Sequence, residues 1–278
     1  MLLVTGANGQ LGQELRLLLR DRARYVGHTE LDITDEEAVR AFFEAQQFDF
    51  VINCAAYTAV DNAEDDAIAA DRANRLGPKF LAKYGRNLIQ ISTDYVFDGT
   101  AHLPYQENDT PKPNTVYGRT KLAGENAVLR EAETAIIIRT AWMYSSFGKN
   151  FVKTMRSLGE KRKTIGVVFD QIGTPTYAAD LATTINTILP HIIPGMKRVY
   201  HYSNEGVASW YDFAVAIMEE SSIHCIIHPL ESIDYPTRAV RPAFSLLSKA
   251  KIKREFGLTI PYWRDSLRRC IAKLNNLA

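Results

Sequence analysis

Tyr117 and Lys121 stand four residues apart in Tyr117-Gly118-Arg119-Thr120-Lys121, and Ser92-Thr93-Asp94 precedes them. At helical spacing the phenol and the ammonium share one face. The following residues, Leu122 to Glu131, read as helix; Pro111 and Pro113 keep the approach extended, and Asn114 or Thr115 can cap the first turn. Thr93 lies just past the apolar run Leu88 to Ile91, a predicted strand whose end presents a hydroxyl. A phenol, an ammonium and a hydroxyl that converge make a proton-delivery site. Lys121 is expected to lower the pKa of Tyr117, because a nearby positive charge favours the phenolate. Thr93 is expected to hydrogen-bond the oxygen being reduced. A five-residue motif also occurs by chance on many helix surfaces, so the surrounding elements decide its meaning.

The first of those elements is the N-terminal run Met1 to Val4, which enters Thr5-Gly6-Ala7-Asn8-Gly9-Gln10-Leu11-Gly12 and then a helical stretch from Gln13 to Arg20. Strand, glycine turn and helix is the setting in which backbone amides and a helix dipole hold a pyrophosphate. A second strand at Tyr25-Val26-Gly27 ends where an acid usually holds the adenosine ribose. Here His28-Thr29 occupy that place, with no Arg beside them, and Asp32 to Glu36 can cap the next helix. Phe48 to Cys54 reads as a third strand, ending in Ala55-Ala56-Tyr57, small enough at its start for a cofactor to lie against the backbone. A polar helix is expected from Thr58 through Asn74, with Asp61 and Glu64 as cap and surface acids. Leu88 to Ile91 and Ala135 to Arg139 supply further strands, the latter delivering Thr140-Ala141-Trp142. Five β-α repeats predict an α/β fold: a doubly wound parallel sheet of Rossmann type, with a smaller C-terminal substrate-binding lobe. Residues 1–142 are assigned to the dinucleotide-binding domain, rejoined by 171–200, and residues 143–170 and 201–278 to the lobe.

Composition narrows the class. Of 278 residues, 33 are Lys or Arg and 32 Asp or Glu, giving a formal charge of +1, so no nucleic-acid or membrane-surface footprint is expected. No apolar run reaches the roughly 18 residues of a membrane span. Cys54, Cys225 and Cys270 lack C-x-x-C spacing, and the six histidines lack metal-ligand spacing, so neither disulfide nor metal is expected. A cytoplasmic location follows as an expectation.

Together these stretches resemble the extended short-chain dehydrogenase/reductase superfamily and, within it, the dTDP-4-dehydrorhamnose reductase family. The resemblance rests on TGANGQLG from Thr5, NCAAYTAVDNAE from Asn53, ISTDYVFDG from Ile91 and YGRTKLAGE from Tyr117. It continues through RTAWMY from Arg139, NFVKTM from Asn150, DQIGTPT from Asp170, WYDFA from Trp210 and Arg241-Pro242. It implies reduction of the 4-keto group of dTDP-4-dehydro-β-L-rhamnose to dTDP-L-rhamnose, with Thr93, Tyr117 and Lys121 catalytic. Gly6, Gly9, Gln10, Leu11 and Gly12 would hold the cofactor phosphates, Asp32 and Ile33 would lie near adenine, and Ala55, Ala56 and Tyr57 would line the nicotinamide side. Tyr117 and Lys121 would also contact the cofactor, and Thr93, Asp94 and Trp142 the sugar. The missing ribose acid points to NADPH, with NADH usable. The partner implied is a sugar nucleotide, and the resemblance leaves a homodimer open. The alternative is another sugar-nucleotide reductase or epimerase of the superfamily; a dehydratase is disfavoured, because Asp94-Tyr95 lacks the adjacent acid pair that elimination needs. Intact Thr93, Tyr117 and Lys121 likewise give no sign of a non-catalytic regulatory subunit.

Overall fold

Six strands run parallel in the order Lys197–His201, Thr134–Thr140 (β5), Asn87–Thr93 (β4), Phe50–Asn53 (β3), Leu2–Thr5 (β1) and Ala23–Val26 (β2). The computed structural model describes residues 1–276. All seven residues of β5 and six of seven in β4 are buried, which is why they read as continuous apolar runs rather than alternating ones. The order of strands reverses between β1 and β3, and a crevice opens there at their carboxyl ends.

Helices cover both faces. On one, Gln10–Leu19 (α1), Ala178–Ile188 and Ala250–Phe256 place Leu15, Leu181, Ile185 and Ile252 against the sheet. On the other, Glu36–Ala45 (α2), Gly77–Gly85 and Val116–Glu131 bury Val39, Leu81 and Val128. The polar helix expected from Thr58 to Asn74 is instead broken in three. It comprises Val60–Asp65 (α3), Ala67–Asp71 (α4) and a wider π turn, Arg72–Leu76, that runs into Gly77–Gly85 (α5). Asp66 breaks it: its side chain accepts from the Ala69 amide, and the non-helical backbone this requires restarts the helix.

A second core gathers Tyr144, Val152, Phe213, Ile217, Leu267 and Ile271 around the parallel strands Thr164–Val168 and Ile226–Leu230. It differs from the expected lobe at Ala250–Phe256, whose Ile252 belongs to the sheet core. The two cores are tied through Glu14 on α1, which accepts from Ser145 Oγ at 2.6 Å and from Lys273 Nζ at 2.9 Å. Among the described residues no helix is long and apolar enough to cross a membrane. Nor does any group of three or more His, Cys, Asp or Glu among them suit a metal.

Candidate active site

The crevice at the strand ends is a cavity of about 540 Å³ that collects residues from every part of the chain. Its floor is the glycine turn. Gly6 has a φ of +64°, and a Cβ there would lie 2.5 Å from the Ala55 nitrogen; one at Gly12 would lie 2.5 Å from the Gly6 carbonyl. Backbone is thus packed against backbone, leaving Gly9, Gln10, Leu11 and Gly12 facing the cavity. This is a cradle suited to a dinucleotide pyrophosphate at the start of α1.

The wall opposite is Val116–Glu131 (α6), the helix expected from Tyr117 onward. Thr115 caps it, accepting from the Gly118 amide at 3.0 Å. Glu64 Oε1 accepts from the Val116 amide at 2.8 Å, so Glu64 anchors the helix that carries Tyr117 and Lys121 rather than serving as a surface acid. Gly124 lets α6 lie close to the π turn: a Cβ there would sit 2.0 Å from the Asn74 carbonyl oxygen. Asn74 donates to Thr120 Oγ1 and to the Tyr57 carbonyl, both at 3.1 Å, and accepts from the Tyr57 amide at 2.9 Å.

Thr93, Asp94, Tyr117, Lys121 and Trp142 all face the cavity. Lys121 is 4% exposed and donates to the Ile91 carbonyl at 2.6 Å. Burial pushes its ammonium down to about 8, against Glu125 and Cys54. The expected lowering of Tyr117 is reversed. Burial raises the phenol well above its ordinary value, the Thr93 hydroxyl opposes this, and Asp94 and Tyr95 add to the rise. The desolvation of the phenol is the larger effect. Thr93 Oγ1 donates to Asp94 Oδ1 at 3.0 Å, while Asp94 Oδ2 is buried with no donor from the protein. Burial pushes the Asp94 carboxyl up to about 6, opposed by the hydroxyls of Ser245 and Thr93.

Trp142 is half-buried and stacks on Trp210 with ring centroids 3.7 Å apart and planes 11° off parallel. Its φ of 47° is rare for a bulky residue and costs about 1–3 kcal/mol. The lobe adds Trp210 and Arg241, and the loop after Ser145 adds Lys149 and Asn150. Asn150 Nδ2 donates to Gln10 Oε1 at 3.0 Å, drawing that loop onto the glycine turn. Arg241 pairs with Asp61 at 2.6 Å, and Asp61 Oδ1 accepts from the Ala239 amide, so Asp61 latches the lobe and caps nothing. Asp65 pairs with Arg238 alongside. Trp210 and Arg241 also border a second cavity, about 400 Å³, lined by Phe151, Met155, Val167 and Gln171. Trp210 and Arg241 stand within the quoted motifs without an assigned role, and Glu64 reads there as a cap or surface acid, because partners far away in sequence define all three.

Other expected contacts are placed differently. Cys54, Ala56 and Thr58 face the cavity, whereas Ala55 abuts Gly6 and Tyr57 is held through its backbone by Asn74; extended chain turns alternate residues to opposite sides. Ile33 is buried against Gly77, not in the cavity. Asp32 Oδ1 accepts from the Thr34 amide and hydroxyl, both at 2.9 Å. Burial raises the Asp32 carboxyl, but those bonds with His28 and Arg72 outweigh it and leave it below its ordinary value. Arg72, at the start of the π turn, thus supplies beside Asp32 a cation that the local sequence lacks. Glu30 turns back to accept from the Gly27 amide at 2.8 Å, so it caps its own turn.

A glycine-floored cleft with Tyr-x-x-x-Lys on one wall and a strand-end Thr beside it defines an extended short-chain dehydrogenase/reductase. Residues 1–276 match the family described as the RmlD substrate binding domain, and the chain belongs to the dTDP-4-dehydrorhamnose reductase family. It is 40% identical, over 284 aligned residues, to a dTDP-4-dehydrorhamnose reductase of Aggregatibacter actinomycetemcomitans, with 96% of this chain and 97% of that one covered. A crystal structure of a dTDP-4-dehydrorhamnose reductase from Clostridium acetobutylicum is similar at a TM-score of 0.95, with 40% identity and 99% of each chain covered. Another from Bacillus anthracis, in complex with NADP, gives 0.94 at 35% identity over 98% of each chain.

Proposed function

We infer that this chain reduces the 4-keto group of dTDP-4-dehydro-β-L-rhamnose to give dTDP-L-rhamnose, with NADPH as reductant, the last step in making that sugar nucleotide. The observation that carries the reading is the meeting of Thr93, Tyr117 and Lys121 with Asp94 and Trp142 around one cavity above the glycine turn. When bound, the reduced nicotinamide supplies a hydride to C4. Tyr117, held protonated by its burial, supplies the proton to the carbonyl oxygen, and the Thr93 hydroxyl, turning from Asp94, donates its one hydrogen bond to the same oxygen. Lys121 steadies the negative charge that remains on the phenol.

The unsatisfied Asp94 oxygen accepts from a sugar hydroxyl, and Trp142 on Trp210 offers an apolar face to the 6-deoxy edge. The smaller lobe carries the substrate, its nucleotide end entering the 400 Å³ cavity beyond Arg241. Arg72 and His28, both close enough to Asp32 to act on it, favour the extra phosphate of NADPH over NADH. The test supplies dTDP-4-dehydro-L-rhamnose with each reduced nicotinamide and follows cofactor oxidation and product by NMR. Stoichiometric formation of one 4-hydroxy epimer is expected, with NADPH preferred. Conversion of dTDP-glucose to a keto product would place the chain among dehydratases instead, and no cofactor-dependent product at all would favour a regulatory subunit.

A further inference from the structure

Directly beneath the cavity lies a buried ionic cluster that the chemistry above does not use. Glu125 is 2% exposed and Arg139 4%, and the two form a bidentate pair: Arg139 Nη2 to Glu125 Oε2 at 2.7 Å and Nε to Oε1 at 3.0 Å. Ser92 Oγ donates to Glu125 Oε1 as well. Behind them Arg139 Nη1 lies 3.5 Å from His201 Nε2, its guanidinium 5.2 Å from the Phe97 ring centroid, and His201 Nδ1 is 3.1 Å from the Tyr105 carbonyl. A buried pair of this kind adds little net stability over apolar side chains of the same volume, so stability alone does not account for it. Its place does. Glu125 is one helical turn beyond Lys121 on the same face of α6, and Ser92 adjoins Thr93 on β4.

We propose that Glu125 is a positioning residue for the reduction: fixed from behind by Arg139 and Ser92, it keeps the Lys121 ammonium charged and turned toward the cavity. The inference rests on the reading of Lys121 given above. The other groups facing Lys121 cannot do this work. Cys54 at the end of β3 is a neutral thiol, pushed up to about 12 by burial. Tyr117, on the same helix, is held as a neutral phenol, and the Ile91 carbonyl of β4 carries only a partial charge. Asp94 is an anion above about 6, but it spends one oxygen on Thr93, and the acids that act on Lys121 are Glu125 and Cys54. Arg139 is cationic and would repel the ammonium without Glu125 between them. His201 is kept neutral, pushed down to about 3 by burial with Arg139 beside it. Glu125 is therefore the full negative charge available to offset the burial of Lys121, and the bidentate pair fixes its carboxylate in one orientation.

The test is a titration of the protein alone, labelled with ¹³C at lysine Cε and followed by NMR through alkaline pH, with Lys121→Arg identifying the resonance. Glu125→Gln should lower the Lys121 midpoint by about one pH unit or more, the size expected when a close opposite charge is removed. The alkaline limb of kcat/KM should move the same way, and Glu125→Asp should restore most of both. Glu125→Gln leaves Arg139 unpaired, so Glu125→Gln with Arg139→Met removes both charges and tests the same point if the single variant does not fold. A merely structural brace would lower the melting temperature without moving either midpoint, and that result overturns the proposal. Full sugar reduction by Lys121→Arg with an unchanged pH profile would instead overturn the role of Lys121 itself.

Discussion

Replacing Asp94 by Asn tests the charge state of the cavity through folding stability rather than turnover. The Asp94 carboxyl is 2% exposed, one oxygen lacks a donor, and burial moves it from 3.8 to about 6. Between those values the folded protein holds a proton that the unfolded chain releases. Stability linked to Asp94 is therefore fully present below the unfolded value and is lost as pH rises through about 6. A displacement of about two pH units at about 1.4 kcal/mol each amounts to about 3 kcal/mol, an upper bound for a group that partly relaxes. The amide brings its own buried donor, costing roughly 1–2 kcal/mol at every pH. Subtracting, Asp94→Asn should be about 1–2 kcal/mol more stable than the parent near pH 8 and about as much less stable near pH 4. Melting temperatures of both proteins across that range measure the change, a swing of roughly 5–10 °C for a chain of this size. A variant-minus-parent difference that stays flat with pH would refute the reasoning, since the amide term has no pH dependence. The same variant should lose kcat/KM for the sugar nucleotide while keeping its affinity for NADPH.

Tyr117→Phe should lower kcat by about 10²-fold or more with little change in cofactor affinity, and near-full turnover would remove Tyr117 from the chemistry. Trp142→Ala removes the stack on Trp210, which should cost about 0.5–1.5 kcal/mol of stability, and removes the apolar face offered to the sugar, which should raise the KM for the sugar nucleotide at unchanged cofactor KM. Gly124→Ala sets a gain of about 1 kcal/mol in helix propensity against overpacking of about 1–3 kcal/mol, because the new methyl would meet the Asn74 carbonyl at 2.0 Å. Overpacking should win. The melting temperature should fall by a few degrees, and kcat should fall with it as α6 shifts; a more stable variant of unchanged kcat would refute that contact.

The sheet and its glycine turn were legible because buried parallel strands write themselves as unbroken apolar runs, and because only a few residue types fit the turn at Gly6. Thr93, Asp94 and Trp142 could be placed because each follows such a run and must stand at its carboxyl end. What sequence could not show were relations across long separations. Glu64 reaches Val116 over 52 residues and Asp61 reaches Arg241 over 180, so their acids looked like ordinary surface charge. The π turn that carries Asn74 to Tyr57 and Thr120, and Arg72 toward Asp32, follows a helix that Asp66 interrupts, a local competition that apolar periodicity does not record. The state of Tyr117 was misjudged for a related reason. Sequence reveals which charges are near, whereas the depth of burial that outweighs them appears only in the folded cavity.

Glu14 on the first helix meets Lys273 on the last, 259 residues later, and the sheet that holds the cofactor cradle is completed by Lys197–His201 and sealed by Ala250–Phe256. During synthesis the sheet edge and one face of the early half of the chain stay uncovered until Lys197–His201 and Ala250–Phe256 have emerged. The lobe, for its part, cannot be lifted out as a cassette, because its segments alternate along the chain with segments of the sheet. Substitutions in the connecting stretches that border the cavity, around Trp142, Trp210 and Arg241, leave the thread that sews the two halves together intact.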